Sequence, residues 1–322
     1  MQTSFSWTAT LLFTTAVTAA HAQTFPARPI RLIVPNGAGG STDFVARTVA
    51  NQLADALGQQ VIVDNRAGSG GIIGTEIVAR AAPDGYTLLI GTVGNLAISP
   101  HLYRRLPYDP LRDFAAVTQI SAAAYVMLVN PALPVKSLPE FIATAKANPG
   151  RIAYASAGSG TGSHLTTALF ASVSGLNLTH IPYKGGAPAL TDLIGNQVQL
   201  MFNGIPSSLP ALTNGRLRAL AVTSPTRVAA IAEVSTFAEA GLKGVEASSW
   251  TGLLAPAGTP QQVITRLNKE LRAILKSTAI RNRLTADGAE PADDSAAAFA
   301  AHLQSEFEKW GKVVRITGAR AD

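Results

Sequence analysis

Cysteine is absent from the 322-residue chain. A disulfide framework, a Cys-ligated zinc and a thiol nucleophile are therefore excluded. Charge is scarce: 14% of residues are Asp, Glu, Lys or Arg, against about 25% in an average globular protein. Hydrophobic residues make up 47%, and that combination excludes an intrinsically disordered chain. Aromatic residues amount to 6% and form no stripe with basic ones. The net charge of +6 is scattered, densest at Arg104-Arg105 and Arg281/Arg283. It reads as a solvated basic surface with a mild preference for anions and no nucleic-acid partner.

Nucleotide signatures are missing as well. No Gly-x-x-x-x-Gly-Lys-Ser/Thr run occurs. The dinucleotide pattern Gly-x-Gly-x-x-Gly fails at Ile73 after Gly68 and Gly70, and at Ser163 after Gly158 and Gly160. The nucleophile elbow Gly-x-Ser-x-Gly has only an imperfect echo at residues 67–71. Past the N-terminal segment the histidines are His101, His164, His180 and His302, none spaced i, i+4. No metal and no cofactor are expected, and Asp293-Asp294 reads as a helix cap. His164 beside a glycine-turn serine leaves a hydrolase-like α/β enzyme as an alternative, although no complete triad can be named.

Residues 9–20 are apolar or small, and Ala20-His21-Ala22 fits an A-x-A cleavage pattern. This predicts a secretory signal peptide over residues 1–22 and export to the periplasm. The usual basic start is missing, since residues 1–8 hold no Lys or Arg. No later stretch reaches the roughly 18 apolar residues of a membrane span, so the mature chain is expected to be soluble.

The rest alternates strand, glycine turn and helix. Ile30–Val34 reads as a buried strand, followed by a helix from Thr42 to Leu57 with Val45, Val49, Leu53 and Leu57 on one face. Ser41 or Thr42 is the expected N-cap, Asp43 suits the helix's positive end, and Gly58 stops it. Val61–Val63 and Tyr86–Ile90 are further strands, with a glycine-led helix between them. The rhythm restarts with strands at Val126–Val129, Ile152–Ala155, Leu178–Ile181, Val198–Phe202 and Leu217–Val222, and helices over Leu138–Ala147 and from about 163 to Val173. A long strand over 246–255 precedes a helical tail striped by Val263, Leu267, Leu271 and Ile274. Such alternation predicts α/β halves with mostly parallel sheets. The tail has too few strands for its own domain. It is expected to return to the first half, giving a two-lobed fold with lobe 1 over 23–122 plus 247–322 and lobe 2 over 123–246. The cleft between the lobes is the default ligand site.

Three glycine-rich turns, at 37–43, 68–74 and 156–164, lead from strands into helices. Unobstructed N–H groups at such helix starts bind carboxylate or phosphate without Lys or Arg. Ser41, Thr42, Ser159, Thr161 and Ser163 add hydroxyls. Glycine turns also occur with no ligand at all, but two in opposing halves share a common target.

Several runs carry a recognisable pattern: Arg28–Pro35, Gly39–Asp43, Asp64–Gly74, Pro83–Leu89, Leu106–Pro110, Tyr154–Thr161, His180–Gly186, Leu217–Thr223, Ala238–Gly241, Trp250 and Ala255–Pro260. In this order the sequence resembles the Bug-type (TctC-like) solute receptors of tripartite tricarboxylate transporters. The resemblance implies a two-lobed periplasmic binding protein that captures a small organic carboxylate and delivers it to a two-subunit membrane permease. It implies ligand contacts from Gly39, Gly40, Ser41, Thr42, Asp43 and Thr92 on lobe 1. On lobe 2 it implies contacts from Ser156, Gly158, Ser159, Gly160 and Thr161, with His164, Lys184 and Asn203 behind them. Family members usually carry Pro-Phe-x-Pro-Gly-Gly in the first turn, where this chain has Pro35-Asn36-Gly37-Ala38-Gly39-Gly40. Asn203 stands where many relatives have Asp, which could pair with an ammonium. The expectation is therefore a non-amino-acid mono- or dicarboxylate bound by a monomeric, non-catalytic receptor. A sensing role toward a signalling partner would leave the same sequence.

Overall fold

The computed structural model describes residues 25–286 and 288–320; the expected signal peptide lies outside the described residues. The first half runs β1 (Ile30–Val34), α1 (Ser41–Leu57), β2 (Val61–Asn65), α2 (Ile72–Ala79) and β3 (Thr87–Thr92). A π-helical turn at Gly94–Ile98 and the short α3 (Ser99–Leu102) lead to β4 (Phe114–Val129). The second half runs α4 (Leu138–Ala147), β5 (Ala153–Ser156), α5 (Gly162–Ser174), β6 (Thr179–Pro182), α6 (Gly186–Ile194), β7 (Leu200–Gly204), α7 (Ile205–Thr213) and β8 (Arg218–Val222). The tail holds β9 (Ser248–Pro256), α8 (Gln261–Lys276), α9 (Thr278–Ala286), β10 (Ala289–Pro291) and α10 (Ala296–Thr317).

The strands pair in the order β2-β1-β3-β9-β4-β7-β5-β6, with β10 and β8 also on β4. The outer triplets β2-β1-β3 and β6-β5-β7 are parallel, and each places its first strand in the middle. The inner strands β9, β4, β8 and β10 pair antiparallel. The parallel expectation therefore describes the outer strands only. Strand β4 belongs to both sheets: Phe114–Ala124 pairs with β9, and Tyr125–Val129 with β7 and β8. Only its last four residues were legible as strand. The preceding segment is rich in alanine, a weak strand former without alternation, and tertiary pairing overrides that propensity.

Apolar spacing behaves as expected. Val45, Val49, Leu53 and Leu57 are buried against β1 and the α8 stripe of Val263, Leu267, Leu271 and Ile274. Phe141, Phe170, Phe202 and Phe237 fill the core of the second half. Helix α10 packs on β4, on the π-helical turn and on α5, so it spans the back of both sheets.

Thr223, just past β8, ties the two chain crossings together. Its N–H donates to Tyr125 O at 2.9 Å and its Oγ1 accepts from Tyr125 N at 2.9 Å. The same hydroxyl donates to Ala247 O at 2.6 Å, where the chain returns toward β9. Valine at this position keeps the volume but strands a buried N–H and a buried carbonyl. Thr223→Val is expected to cost about 2–3 kcal/mol, read as a lower urea midpoint with an unchanged m-value.

Candidate functional site

Parallel strands direct their carboxyl ends toward the next helix, and a ligand site forms where strand order reverses. Here β1 and β5 are the central strands of their triplets, so the turns after them lie at those switch points. The two carboxyl ends face each other across one cleft. It encloses a cavity of about 70 Å³. One wall holds Gly40, Ser41 and Thr42 with Thr92, Val93 and Gly94; the other holds Ala157, Thr161, Gly162, Ser163, Gly186, Asn203 and Gly204. Tyr125 and Ser249, from the crossing strands, close its floor.

Four helices begin at this cavity: α1 after Gly40, α5 after Thr161, α6 after Gly185 and α7 after Gly204. Only α5 has a side-chain cap, Thr161 Oγ1 accepting from His164 N at 3.4 Å. The expected capping of α1 by Ser41 or Thr42 does not occur. The helix begins at Ser41 itself, whose Oγ instead meets Ser207 Oγ of α7 at 2.8 Å. Uncapped starts leave N–H donors unpaired, and each adds partial positive charge. Among the described residues no Lys, Arg, Asp or Glu lines the cavity, so these backbone groups dominate its potential.

Opposing backbones approach too closely for side chains. A Cβ on Gly70 would strike Ser159 O, one on Gly94 would stand 3.2 Å from Gly160 O, and one on Gly37 would stand 3.2 Å from Lys184 O. A Cβ on Gly204 would stand 2.6 Å from Ser41 Oγ. Glycine at these positions lets the two halves meet.

The structure brings Gly40, Ser41, Thr42, Thr92, Thr161 and Asn203 to the cavity wall. Gly158, Ser159 and Lys184 instead line an adjoining groove of about 390 Å³, with Asn36, Gly68–Gly71 and Tyr103. Gly160 faces Ser99, Leu102 and Tyr103 across the cleft. Gly39 and Asp43 lie behind the first turn. Asp43 accepts from Gly39 N at 2.9 Å, from Arg47 Nε at 3.0 Å and from Asn65 Nδ2 at 3.0 Å. Burial pushes the Asp43 carboxyl up, but these hydrogen bonds and the Arg47 charge outweigh it and hold it below its usual value. Asp43 thus shapes the turn from the side away from the cavity.

Ser156 and His164 are likewise buried under the second turn. His164 stacks on His180 with ring centroids 4.0 Å apart, and Tyr154 stacks on His180 at 4.8 Å. Gly160 N donates to His164 Nδ1 at 3.2 Å, and Ser156 Oγ meets His180 Nε2 at 2.6 Å. Burial, and then the neighbouring His180, push His164 down to about 3; burial pushes His180 down to about 4.

Tyr125, Gly186, Gly204, Ser207 and Ser249 complete the site and were missed in the sequence; Ser163, noted there for its hydroxyl, lines the cavity as well. Gly204 followed by Pro206 is a helix-start signal that could have found α7. Nothing local marks Tyr125 or Ser249, which arrive from crossing strands. Thr92 is held by Asn95, whose Oδ1 accepts from Thr92 N at 2.8 Å and Thr92 Oγ1 at 2.6 Å. Asn95 is itself buried and donates to Thr75 Oγ1 at 2.6 Å.

Two α/β halves, two chain crossings and a cleft of helix N-termini define a two-lobed solute-binding protein. A family model described as the tripartite tricarboxylate transporter family receptor matches residues 45–319. The chain belongs to that family of periplasmic solute receptors. It is 41% identical to Protein BugT of Bordetella pertussis over 300 residues, covering 93% of this chain and 92% of that protein. A Rhodopseudomonas palustris protein solved with adipate aligns with a TM-score of 0.90 at 38% identity, over 92% of this chain and all (100%) of that one. MatC of the same species, solved with bound malate, aligns with a TM-score of 0.87 at 33% identity, over 90% of this chain and 100% of that one. Among the described residues no helix is long and apolar enough to cross a membrane.

The buried histidines imply a pH dependence. Both are neutral in the fold but take up protons near pH 6.5 once unfolded. Their lowered values favour the unfolded chain as pH falls. Stability is expected to be full above about pH 6.5. It then declines by roughly 1.4 kcal/mol per pH unit for each histidine toward pH 4. Urea midpoints at pH 7.5 and pH 5 check this; replacing both His164 and His180 with Phe should flatten the difference.

Proposed function

We infer that this chain is an extracytoplasmic receptor that captures a small, non-amino-acid mono- or dicarboxylate between its lobes. It hands the ligand to a two-subunit permease of the tripartite tricarboxylate type. The observation that carries this reading is the convergence of four helix N-termini on a cavity with no basic side chain. Such a site neutralises carboxylates with backbone N–H groups and helix dipoles. The relatives solved with adipate and malate support the same ligand class.

On this reading lobe 1 comprises 23–122 plus 247–322 and lobe 2 comprises 123–246, after removal of the 1–22 signal peptide in the periplasm. The hand-over of β4 between sheets at Ala124–Tyr125 supports that division. A ligand favours the closed state by touching both lobes at once. Gly40, Ser41, Thr42 and Thr92 hold it from one side, and Thr161, Gly162, Ser163 and Asn203 from the other. The receptor works as a monomer, without metal or cofactor, and returns its ligand unchanged. The hydrolase alternative loses support from the histidine pair. His164 Nδ1 is occupied by the Gly160 N–H, and Ser156 and His164 are both buried away from the cavity.

The test is a thermal-shift screen of refolded mature protein with dicarboxylates, tricarboxylates, aromatic acids, amino acids and nucleotides. A carboxylate at 100 times its Kd should add about 2.7 kcal/mol. Stabilisation by nucleotides alone, or by no acid, overturns the reading. Gly204→Val places its side chain against Ser41 across the cleft. It is expected to weaken carboxylate binding at least tenfold while the free protein's unfolding free energy in urea stays within about 1 kcal/mol of the parent.

A further inference from the structure

Asn203 is the cavity residue whose hydrogen-bonding polarity the fold dictates. Its Nδ2 donates to Ser207 Oγ at 2.9 Å and to Ser208 Oγ at 2.9 Å. Ser208 cannot be the donor in that pair, because its hydroxyl already donates to Gly204 O at 2.9 Å. A hydroxyl has one proton, so Ser208 accepts, and the Asn203 atom facing it must be nitrogen. Both protons of the amide are then committed away from the ligand. What Asn203 offers is its Oδ1, an acceptor only. That oxygen makes no hydrogen bond among the described residues, and it stands 3.5 Å from where a Cβ on Gly186 would lie. Gly186 is the first residue of α6, so the acceptor sits beside a helix start suited to a carboxylate. Asn36, which lines the cavity from the first half, has a buried Oδ1 that also lacks a hydrogen-bond partner among the described residues.

An acceptor beside a carboxylate-binding N-terminus has a specific chemical meaning. A bare hydrocarbon diacid would leave Oδ1 desolvated and unpaired when the lobes close. A second carboxylate oxygen there would be repelled. A ligand hydroxyl would donate to it. We propose that Asn203 selects carboxylates bearing a hydroxyl near the carboxylate, a 2- or 3-hydroxy acid, over their deoxy parents. Ser208 is the positioning residue that keeps Oδ1 turned inward. This rests on the reading of the cleft as a carboxylate site and adds the substituent that site demands. An ammonium is also a donor, but Asn203 supplies no charge to offset its desolvation, and no acidic residue lines the cavity. The hydroxyl is therefore favoured over the amino group.

The experiment measures calorimetric Kd values on the refolded mature protein for matched sets of ligands. The sets are both enantiomers of malate against succinate and aspartate, 2-hydroxyglutarate against glutarate and glutamate, and lactate against propionate and alanine. In the set that binds tightest, one hydroxy acid should bind at least tenfold more tightly than its deoxy parent. Asn203→Leu should bring that ratio close to one, with a cooperative urea transition reporting that the variant is folded. Ser208→Ala frees the amide to turn and should lower the ratio several-fold with the ligand contacts otherwise unchanged. Equal binding of hydroxy and deoxy acids by the parent overturns the proposal, as does a preference for the amino acid or an undiminished ratio in Asn203→Leu. Failure of every acid to bind overturns the carboxylate reading itself and is distinguishable from those outcomes.

Discussion

The structure depends on backbone N–H groups at helix starts that no side chain among the described residues caps. Helix starts need partners, and a buried start without one is costly. Three of the four helices opening onto the cleft have no side-chain cap. In a chain with so little charge, this is the cheapest way to build positive potential without desolvating Lys or Arg. The glycines serve the same end. At Gly37, Gly70 and Gly94 they let opposing backbones approach to contact distance, and at Gly204 they admit the Ser41 side chain.

Bringing these groups together falls to the crossing strands. Strand β4 runs from one sheet into the other, β9 returns beside it, and Thr223 joins both through backbone and hydroxyl bonds. Behind them, buried Glu306 of α10 accepts from Trp250 Nε1 of β9 and from Trp310 Nε1, both at 3.0 Å. Lys309 Nζ lies 3.2 Å from its other oxygen, giving the buried carboxylate a charged partner. Tyr125 and Ser249, which floor the cavity, sit on these same strands, so the cavity is built on the elements that join the two halves.

The second glycine turn is supported from below by a stack of Tyr154, His180 and His164. His164 holds the turn by accepting from Gly160, and it can do so only while neutral. Burial keeps it neutral. The residue that looked most like a catalytic base is thus a structural support, and the pairing of Ser156 with His180 has the same character.

The sequence by itself determined the alternation of strands and helices, the helix faces and the helix-stopping glycines. All of these are written in spacings of a few residues. It also marked the glycine turns as places where helices start at the cleft, but not that Gly39, Gly158 and Gly160 spend their N–H groups on Asp43, Ser156 and His164. Helix α4 begins at Leu138 and ends at Ala147, the bounds its sequence implies, and the structure adds a Ser137 cap. Local spacing could not reveal the alanine-rich reach of β4, whose strand character comes from pairing with β9. Nor could it separate Gly40, Ser41 and Thr42, which face the cavity, from Gly39 and Asp43, which lie behind it; one turn of chain carries both sets. The contributions of Tyr125, Ser207 and Ser249, and the inward acceptor of Asn203, were decided by tertiary structure alone. Each depends on partners from distant segments, such as Ser41 against Ser207, that meet only when the two halves close on each other.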